Sequence, residues 1–147
     1  MLWTLAGILL LDRLTKVWAL AVLSRKSIPL FPFFHLHYVE NTGAAFGMFQ
    51  NGNKLLIFVM LAVIAYILYS WREICNYGKV VQWGAVFILA GAFGNLYDRI
   101  TLGFVVDFLD FRVWPVFNVA DSFITIGACL FAWSLLKNQF GKKTEEK

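Results

Sequence analysis

Charged side chains are scarce in this chain: Asp, Glu, Lys and Arg make up 15% of its 147 residues, whereas about 25% is usual for a soluble domain. Hydrophobic residues make up 60%, and the mean hydropathy is +0.68. This composition excludes an ordinary soluble domain and predicts an integral membrane protein whose length allows one compact bundle. The 15 Phe and 6 Trp agree with this, because aromatic side chains anchor helices at membrane interfaces.

Cysteine is also scarce, and the two residues present form no framework. Cys75 lies in a short predicted loop and Cys129 inside an apolar run, so we expect neither a disulfide nor a cysteine-based metal site. His35 and His37 would share one face of a strand and could bind a metal. No further ligands accompany them, so a polar strand face is the better interpretation. We expect no metal and no cofactor.

The net charge of +4 comes largely from the end of the chain, where Lys137, Lys142, Lys143 and Lys147 follow the last apolar run. Basic patches can bind nucleic acid. A short lysine-rich tail after an apolar segment is more typical of a cytoplasmic end of a membrane protein. We therefore expect no nucleic-acid partner.

Apolar periodicity predicts four transmembrane helices, at residues 2–23, 55–71, 80–97 and 119–136. Each is near the roughly 20 residues that a helix needs to cross a bilayer, and such uninterrupted runs exclude a β-barrel. The first run resembles a signal-peptide core, but Asp12, Arg13 and Lys16 occupy the place of a cleavage site, so we expect a retained helix. The sequence predicts one all-α membrane domain over residues 1–147.

The distribution of Lys and Arg favours both termini in the cytoplasm, although by a narrow margin. In that orientation the third helix ends, and the fourth begins, on the outer side. Asp98, Asp107 and Asp121 then meet at the outer membrane face, and Asn41 approaches it through the loop at residues 24–53. Within that loop, residues 33–39 have the aromatic and β-branched content of a strand.

Asp107 and Asp121 are the strongest candidates for chemistry. Asn118 can cap the fourth helix and place Asp121 in its first turn, although this is also a plain capping arrangement. Asp107 has Val and Phe on both sides, which is unusual for a solvated loop carboxylate such as we expect Asp110 to be. Two carboxylates brought together at low dielectric share a proton, and such a pair can activate water and polarise a carbonyl.

A second cluster of polar residues lies at the end of the third predicted helix. Asn95 and Asp98 are three positions apart and therefore lie on one face of that helix. They could orient the carboxylate pair or a substrate, with Arg99 donating to peptide carbonyls. An arginine near a helix C-terminus is equally well explained by the helix dipole. Both interpretations stay open.

Two further groups have a structural alternative. Asn41 is followed by small residues, beginning with Gly43, which permit close approach of an extended peptide; a plain turn into the next helix is the alternative. Asp12 and Lys16 form an acid–base pair four positions apart in the first helix. Stabilisation of the fold explains this pair at least as well as catalysis does.

Five short blocks between residues 12 and 122 occur together: Asp12-x-x-Thr15-Lys16, Asn41-Thr42-Gly43-Ala44-Ala45-Phe46, Gly94-Asn95-x-x-Asp98-Arg99, Val105-Val106-Asp107-Phe108 and Phe117-Asn118-x-Ala120-Asp121-Ser122. Each block is weak alone. In this order the set resembles the bacterial lipoprotein signal peptidase family, signal peptidase II. Arg13, inside the first block, is a variation within that pattern.

The resemblance implies an intramembrane aspartic endopeptidase that removes signal peptides from prolipoproteins, cutting just before a cysteine that carries a diacylglyceryl group. Asp107 and Asp121 would be its catalytic pair. The residues that would position the substrate or the pair are Asn41, Gly43, Asn95, Asp98, Arg99 and Asn118, and those that would support the fold are Asp12 and Lys16.

The resemblance also implies several properties of the whole molecule. The enzyme would need no metal, would be inhibited by globomycin, and would have an outer β-cradle in the region of residues 33–39. It would lie in the bacterial cytoplasmic (inner) membrane, in contact with lipid, with its active site near the outer face. Nothing in the sequence demands a partner chain, so we expect a monomer.

Two other classes of protein could retain acids in apolar runs. A small transporter or proton-conducting subunit would do so, but the acids here gather at one face and no polar chain continues along the second helix. A membrane scaffold would use polar clusters for helix association. Intramembrane aspartic proteases with a Gly-x-Gly-Asp block are disfavoured because the chain has none.

Overall fold

The computed structural model of the chain describes residues 1–43 and 52–145. In chain order its elements are α1 (Leu2–Val22), β1 (Ile28–Phe31), β2 (Phe34–Asn41), α2 (Asn53–Tyr69), α3 (Trp71–Asn76), α4 (Lys79–Thr101), β3 (Val105–Asp110) and α5 (Val119–Glu145). The protein is therefore mostly helical with one small sheet.

Each of the four predicted apolar runs forms a helix, and two of these helices extend past their predicted ends. α4 continues from the apolar run through Asp98 and Arg99 to Thr101, because both charged side chains find partners inside the protein. α5 continues through the basic tail to Glu145. The predicted loop around Cys75 is wrong in detail, since this residue lies in the short helix α3.

α4 is the central helix and contacts α1, α2, α3, α5 and β3. Its contact with α5 is the most extensive, and small residues make it possible. A Cβ atom at Gly91 would lie 2.6 Å from Cγ1 of Ile124, and one at Gly127 would lie 2.6 Å from the carbonyl oxygen of Gly84. The two backbones thus approach to a distance that leaves no room for a methyl group, which fixes α5 against α4.

The three strands form an antiparallel sheet in the order β1-β2-β3. The strand predicted at residues 33–39 corresponds to β2, and the sheet also contains two strands that were not predicted. β3 is the buried strand, because its residues Val106 and Phe108 pack against Ala19 in the last turn of α1 and Leu23 just after that helix. The register places Val105 opposite Asn41, which brings the end of β2 to the start of β3.

Large apolar side chains are exposed along the helices rather than confined to the core. Examples from four helices are Leu10 and Trp18 of α1, Phe58 and Tyr66 of α2, Phe93 and Ile100 of α4, and Ile126 and Trp133 of α5. Such extensive apolar exposure is unusual for a protein surface in water. It agrees with a surface that faces lipid.

Among the described residues, one helix is both long and apolar enough to cross a membrane. This is α4, with a mean hydropathy of 1.4 over 18 residues, while α2 and the stretch Val119–Ser134 of α5 are shorter apolar helices. α1 has 21 residues but carries Asp12, Arg13 and Lys16. Asp12 and Lys16 are buried inside the protein, so their charges are not exposed on the outer surface of the helix bundle.

Candidate active site

Asp107 lies in the middle of the buried strand β3, and only 1% of the residue is exposed. Two amides hold its carboxylate. Asn41 Nδ2 donates to Oδ2 at 2.8 Å, and Asn118 Nδ2 donates to Oδ1 at 2.7 Å. The sheet register supplies the first of these donors and the start of α5 supplies the second, so the position of Asp107 depends on three elements.

Asp121 lies in the first turn of α5 and forms a reciprocal cap with Asn118. The Asp121 amide donates to Asn118 Oδ1 at 2.9 Å, and the Asn118 amide donates to Asp121 Oδ2 at 3.2 Å. This capping box satisfies two amides at the helix start. The other carboxylate oxygen accepts from Asn95 Nδ2 of α4 at 2.7 Å. The predicted cap is present, and the same asparagine also bonds Asp107.

The two carboxylates influence each other electrostatically. Burial, followed by the negative charge of Asp121, raises the pKa of Asp107 from its ordinary value of 3.8 to about 7. The hydrogen bonds from Asn41 and Asn118 act in the opposite direction, because they stabilise the charged form. A carboxyl group with a pKa near neutrality can exchange a proton at physiological pH.

Asn95 connects the carboxylate pair to a buried ion cluster. Its Oδ1 accepts from Asn118 Nδ2 at 3.1 Å and from Lys16 Nζ at 2.8 Å. The Lys16 ammonium also lies 3.0 Å from Asp12 Oδ2 and 3.0 Å from Asp98 Oδ2. The predicted pair of Asp12 and Lys16 therefore exists, but it is part of a larger cluster between α1 and α4.

Asp98 shares a helix face and the partner Lys16 with Asn95, but its other partners are different. It accepts a hydrogen bond from the Val106 amide at 3.2 Å and forms an ion pair with Arg13 at 2.9 Å. Among the described residues it forms no hydrogen bond with either member of the pair, and its link to β3 is the bond to the Val106 amide next to Asp107. Asp12, for its part, accepts from the Ala120 amide at 2.9 Å.

Arg99 joins the ends of β2 and α2. Its guanidinium donates to the Gly43 carbonyl at 2.6 Å and to Asn53 Oδ1 at 3.2 Å, and Asn53 Nδ2 donates back to the Arg99 carbonyl at 3.1 Å. The arginine is 4% exposed, and its Nε atom has no hydrogen-bond partner among the described residues. One buried donor is thus left beside the cavity described next. The predicted small-residue stretch at 44–47 lies outside the described residues.

A cavity of about 880 Å³ opens beside the carboxylate pair. Asn41, Asn95 and Asp121 lie on its polar side. The rest of the lining is mostly apolar and comes from α2, the loop between β3 and α5, and α5 itself; it includes Leu56, Met60, Val113, Val116, Phe117 and Ile124. The cavity therefore brings the Asp121 carboxylate, whose partner Asp107 is buried behind it, to an extensive apolar surface, as expected for a substrate that is itself apolar.

Three residues of this region had no assigned role in the sequence prediction. Asn53 pairs with Arg99, and Arg13 pairs with Asp98 while its guanidinium stacks 4.8 Å from the centre of the Tyr97 ring. Asp110, expected at a solvated interface, is buried; it accepts from the Arg112 amide at 2.7 Å and pairs with that side chain at 3.3 Å. Arg112 has a left-handed backbone (φ 66°) in this pairing, and the sequence carries no clear signal for that conformation.

Comparison with known proteins assigns the family. The model of the signal peptidase II family matches residues 4–137. The chain is 41% identical over 145 residues to a lipoprotein signal peptidase of Pelotomaculum thermopropionicum, with 97% of this chain and 95% of the relative covered. It is 45% identical over 135 residues to the lipoprotein signal peptidase of Clostridioides difficile, covering 86% and 89% of the two chains.

The chain belongs to the signal peptidase II family. Its fold agrees with a solved bacterial membrane enzyme determined by the in meso method at 2.3 Å resolution, with a TM-score of 0.87 at 28% identity, over 96% of this chain and 90% of that one. The sequence prediction of this family, and of a peptidase that processes lipoproteins, is confirmed. The similarity to membrane enzymes also supports the predicted membrane location in general terms.

Proposed function

We propose that the chain is an intramembrane aspartic endopeptidase in which Asp107 and Asp121 are the catalytic pair. The observation that carries the proposal is the sharing of Asn118. Its side-chain amide donates to Asp107, and its backbone and side chain cap Asp121. One residue thereby fixes both carboxylates, and Asp121 lies on the polar side of the apolar cavity. This arrangement suits chemistry in which two carboxyl groups share a proton.

The chemistry follows from one proton held between two carboxyl groups. The ionised member takes a proton from a water molecule, whose oxygen attacks the carbonyl carbon of the scissile peptide. The protonated member gives its proton to the carbonyl oxygen, which forms a tetrahedral diol. When the C–N bond breaks, the leaving nitrogen receives a proton from the pair and the diol becomes a carboxylic acid. Water and the peptide are the only reactants.

The polar residues around the pair have separate tasks in this proposal. Asn41, Asn95 and Asn118 hold the two carboxylates through the hydrogen bonds described above. Arg99 positions the substrate, because it lines the cavity and its guanidinium holds the Gly43 carbonyl at the cavity wall. Asp98 supports the pair through the Val106 backbone, and Asp12 and Lys16 support the packing of α1 on α4.

We also propose the membrane arrangement predicted from the sequence: one domain, four membrane-spanning helices (α1, α2, α4 and α5) and both termini in the cytoplasm. The exposed apolar side chains of these helices support it. In this arrangement Asp107 and Asp121 lie near the outer face of the bacterial cytoplasmic membrane, and the sheet forms a cradle on that face. Water can reach this depth, as the reaction requires.

The proposed substrates are prolipoproteins whose cysteine carries a diacylglyceryl group, cut just before that cysteine. Such a substrate is both a transmembrane helix and a lipid, so it must enter the cavity sideways from the bilayer. The apolar lining formed by α2 and α5 suits this route. Globomycin-type inhibitors would occupy the same cavity, and the enzyme would act as a monomer.

The test is cleavage of a purified diacylglyceryl-prolipoprotein by the purified protein in detergent, with the products identified by mass spectrometry. We expect a released signal peptide and a mature chain that begins with the lipidated cysteine, and we expect globomycin to stop the reaction. The unlipidated precursor is the matched control and should be cut far more slowly. Equal cleavage of both precursors would refute the lipid requirement, and no cleavage of the lipidated one would refute the proposed function.

A further inference from the structure

Lys16 is a buried cation whose three protons all have acceptors. The residue is 1% exposed, and its Nζ lies 3.0 Å from Asp12 Oδ2, 3.0 Å from Asp98 Oδ2 and 2.8 Å from Asn95 Oδ1. A lysine ammonium has three donors and no acceptor. The two carboxylates already compensate its charge. Its third bond, to a neutral amide next to the catalytic pair, is not needed for that purpose.

This third bond determines which way the Asn95 amide points. In the observed orientation Oδ1 accepts from Lys16 and from Asn118, while Nδ2 donates to Asp121 Oδ1 at 2.7 Å. A reversed amide would place its NH₂ group against the lysine ammonium and its oxygen against the carboxylate. Both contacts would be repulsive, because each would join two donors or two acceptors.

We infer that Lys16 is a positioning residue for the reaction: its buried ammonium fixes the Asn95 amide with Nδ2 toward Asp121, and so holds one member of the catalytic pair in place. The inference rests on the proposed function of that pair. It goes beyond a role in supporting the fold, because it assigns a consequence for the chemical step to one particular hydrogen bond.

The hydrogen bonds continue from Asn95 through Asn118 to the other carboxylate, that of Asp107. Asn118 Nδ2 donates both to Asn95 Oδ1 at 3.1 Å and to Asp107 Oδ1 at 2.7 Å. If Asn95 reversed, Asn118 would lose the acceptor that helps to hold its own amide. Loss of the Lys16 bond would therefore disturb both carboxylates, although Lys16 forms no hydrogen bond or ion pair with either of them in the described part of the chain.

α1 offers a matched control for this bond. Arg13 is a second cation on the same helix and pairs with Asp98 at 2.9 Å, as Lys16 also does at 3.0 Å. Within the described residues Arg13 forms no hydrogen bond with Asn95. Arg13→Met removes a charge from the same cluster without touching the amide. Lys16→Met removes both the charge and the amide bond, and the double variant Asp12→Asn/Lys16→Met keeps the net charge of the cluster unchanged.

The experiment measures kcat and KM for cleavage of a lipidated precursor, together with the thermal unfolding of each variant in detergent. We expect both Lys16 variants to lose about 100-fold in kcat with KM changed by less than about threefold, since a small displacement of a catalytic group has an effect of this order. Arg13→Met should keep kcat within about threefold of the wild-type value.

Three results would overturn the inference. The first is a folded double variant, Asp12→Asn/Lys16→Met, with wild-type kcat, and the second is an Arg13→Met variant that loses as much kcat as Lys16→Met. The third is failure of both Lys16 variants to fold, which would mean that Lys16 serves the fold alone. A wild-type protein that cleaves no lipidated precursor would instead refute the proposed function. The two failures are therefore distinguishable.

Discussion

The contact between Gly91 and the start of α5 gives a sharp test of what holds Asp121 in place. A Cβ atom at Gly91 would lie 2.6 Å from Cγ1 of Ile124 and 3.1 Å from the carbonyl carbon of Ala120, the residue before Asp121. Ordinary carbon contacts are about 3.5–4.0 Å, so Gly91→Ala requires α4 and α5 to separate by about 1 Å. The carbonyl that must move is backbone and has no alternative rotamer.

Gly91→Ala should lower both the stability of the protein and the rate of cleavage. Overpacking of this kind costs about 1–3 kcal/mol, which corresponds to a loss of about 2–12 °C in Tm for a protein of this size. Because the separation moves the backbone next to Asp121, kcat should fall about 100-fold. Gly7→Ala is the matched control: a Cβ there meets nothing within 4 Å, and alanine favours a helix by up to about 1 kcal/mol.

The assay combines thermal unfolding in detergent with single-turnover cleavage of a lipidated precursor. Gly7→Ala should match or slightly exceed the wild-type Tm and keep full activity, while Gly91→Ala should lose both stability and rate. If Gly91→Ala behaved like Gly7→Ala in both measurements, the close packing of α4 on α5 would not be what positions Asp121, and this part of the reasoning would be wrong.

Two further predictions concern pH and the loop after β3. The pKa of Asp107 is raised to about 7, and the pair needs one proton, so kcat/KM should fall about tenfold per pH unit above that value. Because burial favours the neutral carboxyl group, the contribution of Asp107 to stability is present at low pH and is lost as pH rises through about 7. A pH profile that stays flat up to pH 9 would contradict this. At Arg112, where φ is 66°, glycine accepts the left-handed backbone and keeps the backbone hydrogen bond to Asp110. Arg112→Gly removes a largely exposed arginine side chain from the buried Asp110 carboxylate, so it should cost about 1 kcal/mol or less. Arg112→Val loses the same ion pair and should cost about 1–3 kcal/mol more through backbone strain. Equal stability of these two variants would show that the left-handed turn is not maintained.

Local sequence patterns were sufficient to predict the capped carboxylate. The spacing of Asn118 and Asp121 predicts a helix start, and the apolar neighbours of Asp107 predict a buried acid. The structure shows both, joined by a single asparagine. These features could be predicted because each depends on residues within a few positions along the chain.

Features that depend on distant residues could not be predicted in the same way. Asn95 and Asp98 share a helix face by spacing, yet one bonds Asp121 while the other bonds Arg13 and the Val106 amide. Which partner each receives depends on how α1, β3 and α5 pack around α4. The pairing of Asn53 with Arg99 joins residues 46 positions apart, and it likewise follows from packing and not from any local pattern.

The central claim is that Asp107 and Asp121 act together as the catalytic pair, and three matched Asp→Asn variants test it most directly. Asp110 lies on the same strand as Asp107 and is also buried, but its partner is Arg112, and it forms no hydrogen bond with the pair among the residues that the structure describes. In the lipidated-precursor cleavage assay, Asp107→Asn and Asp121→Asn should each lower kcat by on the order of 10²–10⁴ or more while the protein still folds. Asp110→Asn should retain nearly full activity. Substantial cleavage by a folded Asp107→Asn or Asp121→Asn variant would contradict the account.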